Sequence, residues 1–146
     1  MLYFDTSFLV PLILIEPTST RIQRFLSRQE AGELAISQWT RVEFSSLLAR
    51  GVRMGALTRK EALFADTQFE MLVSESFIVL LPGAEDFELA KQFLQRYGTG
   101  LRAGDALHLA IAKNHGANAI YSLDKGLRGA GKKLRLPVRS GIRQTG

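Results

Sequence analysis

The chain has 146 residues, 46% of them hydrophobic and 23% charged, a balance that suits one globular domain and excludes a disordered segment or a two-domain chain. It has no cysteine and two histidines, so disulfides and thiolate metal sites are excluded and any bound metal must be held through oxygen. The net charge of +5 is uneven, because Lys125, Arg128, Lys132, Lys133, Arg135, Arg139 and Arg143 follow Asp124 with no acid among them. Removing those seven from the 19 basic residues leaves 12 against 14 acidic ones, so a body of net charge −2 carries a +7 end. A polyanion partner such as RNA or simple solubility accounts for such an end equally well.

The apolar run Leu2-Tyr3-Phe4 reads as a short buried strand ending at Asp5. Phe8 to Ile15 reads as a core helix, too short to span a bilayer, in which Pro11 is tolerable only in the first turn. With no basic leader before that run, the expected compartment is the cytoplasm, with no membrane association. Thr18 is placed to cap a second helix reaching about Gln29, with Ile22, Phe25 and Leu26 on one face, and Leu34-Ala35-Ile36 is a second strand. Ser37 is expected to cap a third helix whose Trp39, Val42, Glu43, Ser46 and Leu47 share an apolar stripe interrupted by the glutamate.

Thr58 and Glu61 form a capping box that opens a long helix to about Ser74, followed by a strand from Phe77 to Leu81. A helix from Glu85 to Tyr97 should end at Gly98, and the next, Ala103 to His115, is apolar nearly all round and closes on Gly116. Ala119-Ile120-Tyr121 is a strand leading to Ser122 and Asp124, and Leu136 to Val138 is the last. About five short apolar strands alternating with helices predict an α/β fold, a central parallel sheet with helices on both faces. In such sheets sites gather beyond the carboxyl ends of the strands, where Asp5 and Asp124 fall.

Four acids stand out, and each also has a structural explanation. Asp5 and Asp124 suit helix caps or turns. Glu43 either reaches solvent from the edge of its stripe or is paired or metal-bound, since an unpaired buried acid is costly. Asp105 lies in the first turn of the most apolar helix, favoured there by the helix dipole, with His108 at i+3 as its nearest in-helix partner. Two of the four end strands and two lie on inner helix faces near the same sheet edge. A convergence of carboxylates without cysteine is a hard-cation site suited to Mg²⁺ or Mn²⁺, ions that activate water and neutralise charge developing on a phosphate.

Taken in order, Tyr3-Phe4-Asp5-Thr6-Ser7, Val42-Glu43, Arg102-Ala103-Gly104-Asp105-Ala106-Leu107-His108-Leu109-Ala110 and Ser122-Leu123-Asp124-Lys125-Gly126-Leu127 form a set that resembles the PIN-domain ribonuclease toxins of type II toxin–antitoxin pairs, the VapC type. The resemblance runs from Met1 to about Val138 and implies one PIN domain over 1–138, with 139–146 left as a basic tail. It further implies metal-dependent endonucleolytic cleavage of RNA, a homodimer, and a cognate antitoxin protein as inhibitor. Asp5, Glu43, Asp105 and Asp124 then take the metal-binding and catalytic roles, with Thr6, Ser7 and Ser122 as pocket hydroxyls. Lys125, Arg128, Lys132, Lys133 and Arg135 become the expected RNA contacts.

A phosphatase forming an aspartyl-phosphate would want a second Asp where Ser7 stands, and a receiver-type phosphoacceptor would not need Glu43 inside an apolar stripe. The remaining alternative is a non-catalytic PIN-like module that binds RNA or protein. Such a module would be expected to have lost part of the acid set, which is intact here.

Overall fold

The computed structural model describes residues 1–143; the last three residues of the expected basic tail, 144–146, lie outside the described residues. Five strands, β1 (Leu2–Phe4), β2 (Leu34–Ser37), β3 (Ile78–Leu80), β4 (Ala119–Tyr121) and β5 (Val138–Arg139), form one all-parallel sheet in the order β3-β2-β1-β4-β5. Leu2 stands opposite Leu34 on one side and Ala119 on the other, so β1 is the central strand. Among the described residues seven α-helices join and flank these strands: α1 (Thr6–Ile13), α2 (Ser19–Ser27), α3 (Gln38–Arg53), α4 (Arg59–Ser76), α5 (Ala84–Leu94), α6 (Ala103–Asn114) and α7 (Lys125–Lys133). The α/β architecture is the one the alternation of short apolar runs and amphipathic segments predicts.

The alternation of side chains along each strand divides the interior in two. Phe4, Leu34, Ile36, Ala119 and Tyr121 face α1 to α4, where Phe8, Ile22, Phe44, Leu48 and Phe69 complete a core. Tyr3, Ile120 and Val138 face α5 to α7 and pack with Phe93, Leu109, Ile111 and Leu127. Aromatic rings fill much of the first core: Phe4 stacks on Tyr121 at 5.2 Å, and Phe44 on Phe69 at 4.1 Å. In α6 every residue from Ala106 to Ala112 is buried, in keeping with a sequence that is apolar there except for His108.

Several local expectations are corrected. Helix α1 begins at Thr6 rather than Phe8, because Asp5 caps it, and this carries Pro11 past the first turn. The helix ends two residues after the proline, which limits the cost of the missing N–H. Thr18 holds the cap position of α2, but its hydroxyl makes no cap bond; it is buried without a partner. In α3 the buried stripe is Thr40, Phe44 and Leu48, spaced four apart, whereas Val42 is 57% and Leu47 37% exposed and Ser46 faces solvent. Phe44 decides the orientation through its stack on α4, leaving Glu43 at the edge of the helix's inner face. Helix α5 stops at Leu94, and Tyr97–Thr99 forms a separate 3₁₀ turn.

At the basic end, Lys125–Lys133 is a helix that its glycine-rich composition offers no reason to expect. The last strand starts at Val138 and includes Arg139, one residue past the expected boundary at 138. Among the described residues no helix is long and apolar enough to cross a membrane.

Candidate functional site

From β1 the chain runs outward to β2 and β3 on one side and returns to β4 and β5 on the other. The crevice beyond the carboxyl ends of β1 and β4 is therefore the topological switch point, where parallel sheets collect ligands. Asp5 follows β1 and Ser122 follows β4, and the Asp5 N–H donates to the Tyr121 carbonyl at 3.1 Å, tying the two exits together. Asp5 is buried, 3% exposed as a residue. Its Oδ1 accepts from the Phe8 N–H at 3.2 Å and the Ser7 hydroxyl at 2.7 Å, and its Oδ2 accepts from Ser122 at 2.6 Å. Asp5 is thus both a helix cap and part of the crevice. Burial raises its carboxyl above the usual range, opposed by His108 and by these three hydrogen bonds.

Glu43 reaches the same crevice from α3. Its Oε1 accepts from the Thr6 hydroxyl at 2.6 Å and is paired with His108 Nε2, so the histidine serves Glu43 and not Asp105, its sequence neighbour. His108 Nδ1 lies 2.7 Å from the Tyr3 hydroxyl, which donates to Ser37 Oγ at 3.0 Å. A buried chain of polar groups therefore runs from the end of β2 through β1 and α6 to the glutamate. Burial pushes Glu43 up, but the His108 hydrogen bond and charge, with Thr6, outweigh it and hold the carboxyl below its ordinary value. The same burial raises the Tyr3 phenol, keeping it neutral.

Asp105, in the first turn of α6, is pushed up to about 6 by burial and by repulsion from Asp124, Asp5 and Glu43, with His108 opposing. Asp124 is exposed and caps α7 through Oδ1, which accepts from the Leu127 N–H at 3.1 Å. All four acids, with Thr6, Ser7 and His108, line one cavity of about 440 Å³. Ser7, on its wall, lies 3.2 Å from the buried Ser122, and the two hydroxyls hold the loop after β4 by accepting from the Leu123 and Asp124 N–H groups, each at 3.0 Å. Among the described residues no three acidic or histidine side chains converge tightly enough to form a ready-made cation cage. Glu43, Asp105 and Asp124 nevertheless line the crevice as oxygen donors, together with Asp5 the set that suits a hard divalent cation.

The basic residues divide. Arg128 donates to the Ser122 carbonyl at 2.8 Å, and Lys133 to the Gly98 carbonyl at 3.0 Å, so both brace loops near the site. Lys125, Lys132 and Arg135 are exposed. Two features escaped sequence reasoning. The His108 to Glu43 pairing joins residues 65 apart, for which one sequence has no signal. Trp39, Gly100, Leu101 and Arg102 wall a second cavity of about 610 Å³ that shares Glu43, Asp105 and Asp124 with the first; the Arg102-to-Ala110 motif pointed toward it without giving Arg102 a role.

The PIN domain model matches residues 2–133, and the chain belongs to that family. Among solved structures it is similar to the Mycobacterium tuberculosis toxin VapC20, described as cleaving the sarcin-ricin loop, at 21% identity and a TM-score of 0.71, covering 90% of this chain and 95% of that one. FitAcB from Neisseria gonorrhoeae aligns at 17% identity and a TM-score of 0.72, over 97% of this chain and 98% of that one. A toxin–antitoxin complex from Klebsiella pneumoniae aligns at 18% identity and a TM-score of 0.67, over 99% and 100%. No curated protein sequence matches the chain.

Proposed function

We propose that this chain is a Mg²⁺- or Mn²⁺-dependent endoribonuclease, the toxin of a toxin–antitoxin pair acting in the cytoplasm. The observation that carries the reading is the meeting of Asp5, Glu43, Asp105 and Asp124 in one crevice at the switch point of a PIN-domain sheet, at the cost of repulsion felt most by Asp105. Proteins fold against such repulsion chiefly where a site needs it. The family and the toxin described as cleaving the sarcin-ricin loop support RNA as the substrate.

Asp5, Glu43, Asp105 and Asp124 would hold the cation, which when bound supplies an activated water and positive charge for the phosphate. Asp5 also fixes the mouth of β1 against β4 by accepting from Ser7 and Ser122, and Thr6 with His108 holds Glu43 through Oε1. The exposed basic residues Lys125, Lys132 and Arg135 would attract the RNA backbone. The neighbouring toxin–antitoxin complex supports an antitoxin partner, and exposed Val42, Leu47 and Met71 supply apolar surface for it or for a second copy of the chain. Purified protein should cut single-stranded RNA with Mg²⁺ or Mn²⁺ and not in EDTA, and Asp105→Asn should not cut. Full activity in EDTA, or in that variant, would exclude the metal-dependent reading.

A further inference from the structure

The cavity that shares Glu43, Asp105 and Asp124 with the acidic crevice is walled on its remaining sides by Trp39, Gly100, Leu101, Arg102, Gly104 and Gly126. We propose that this cavity receives one unpaired RNA base beside the cleaved phosphate, and that Arg102 determines which base is preferred. The proposal rests on the nuclease reading above and adds the means by which such an enzyme would choose its cutting site.

Trp39 is the chain's single tryptophan. Part of its indole packs on the core between the sheet and α5 to α7, and part lines the cavity. Its Nε1 is shielded from solvent and has no acceptor; among the described residues the other buried side-chain atom in that position is Thr18 Oγ1 on α2. The contact offered to a base is therefore the exposed part of the indole ring that lines the cavity, a flat surface for stacking.

Gly104 keeps the passage between indole and acids open. A Cβ there would stand 2.9 Å from Glu43 Oε2, 3.4 Å from Trp39 Cζ2 and 3.6 Å from Trp39 Nε1. Any larger residue would fill the gap that joins the two cavities. On the opposite wall Gly100 turns the chain with φ +70°, where a side chain would be strained, and delivers Leu101 and Arg102 to the rim.

Arg102 is exposed at the N-cap of α6 and, among the described residues, forms no ion pair. Its planar fork can donate two hydrogen bonds to one base edge. Charge argues for a base here and against a second phosphate, since Glu43, Asp105 and Asp124 border the cavity and would repel a free anion. A neutral planar ring meets an aromatic wall and a single guanidinium without that penalty. The cavity volume of about 610 Å³ is in the range of small-ligand sites. Only a base already out of its helix can enter, which restricts the substrate to single strands and loops.

Because Trp39 is the sole tryptophan, its fluorescence reports the subsite directly. The full chain in EDTA is titrated with the four RNA homotetramers, and cut ends are then sequenced after digestion of a mixed RNA with Mg²⁺. At least one tetramer should quench the emission saturably. Arg102→Ala, an exposed change that should leave the melting temperature unaltered, should weaken that binding about tenfold. The same variant should still cut RNA but with relaxed base preference at one position flanking the cut, whereas Asp105→Asn should keep the quench and lose the cutting. If the wild type cuts RNA, no tetramer quenches Trp39 and Arg102→Ala leaves the cut-end preference unchanged, the base subsite is wrong and the nuclease reading survives. If tetramers quench Trp39 in an Arg102-dependent way but no RNA is cut with either metal, the subsite stands and the nuclease reading falls.

Discussion

Replacing Asp105 with Asn removes one of four clustered carboxylates while keeping the shape of the first turn of α6. The wild-type carboxyl has an ordinary value of 3.8 and is pushed up to about 6 in the folded chain, first by burial and then by Asp124, Asp5 and Glu43. Its folded value lies above its unfolded one, so between the two the folded state holds the extra proton. The stability this contributes is complete below pH about 4 and is lost as pH rises through about 6. At roughly 1.4 kcal/mol per unit the shift corresponds to a ceiling of about 3 kcal/mol; the side chain is partly open to solvent, and screening brings this to about 1 kcal/mol. Asp105→Asn in EDTA should therefore melt about 2–4 °C above wild type at pH 8 and within about 1 °C of it at pH 4.5. Thermal melts at the two pH values, each with and without Mg²⁺, provide the assay. Saturating metal at about 100 times its dissociation constant should stabilise the wild type by roughly 2.7 kcal/mol and the variant by much less. A variant that melts lower than wild type at pH 8 in EDTA, or that gains as much from Mg²⁺, refutes the shared-pocket argument.

Asp5→Asn keeps a good capping residue for α1, so its melting temperature in EDTA should not fall by more than about 2 °C, while cleavage of labelled RNA and the Mg²⁺-induced rise should both be lost. Neutralising Lys132, Lys133 and Arg135 together should weaken RNA binding and flatten the slope of log affinity against log salt by about two phosphate contacts; an unchanged slope assigns these residues to solubility alone. Gly131→Ala tests the packing of α7 on β5: a Cβ there would collide with Val138 Cγ1, so the change should cost about 1–3 kcal/mol in denaturant unfolding.

The first four strands were legible because each is short, mainly apolar and bounded by turn residues, and β1 and β4 lead directly to Asp5 and Asp124; the last, expected over Leu136 to Val138, shares only Val138 with the strand that forms. The absence of cysteine is enough by itself to require that a metal meet oxygen. The orientation of α3 was not legible, since Trp39/Val42/Leu47 and Thr40/Phe44/Leu48 are both spaced as apolar stripes and only the Phe44 stack on Phe69 selects the second. Helix α7 was hidden by Gly126, Gly129 and Gly131; it forms because Asp124 caps it and because Leu127 and Ala130, three apart, are buried under it. Periodicity speaks of neighbours three and four residues away on one helix. The partners that hold Glu43, Thr6 37 residues before it and His108 65 after, meet it only because the switch in strand order carries β1, α3 and α6 to a common edge, and that edge exists only in the assembled sheet.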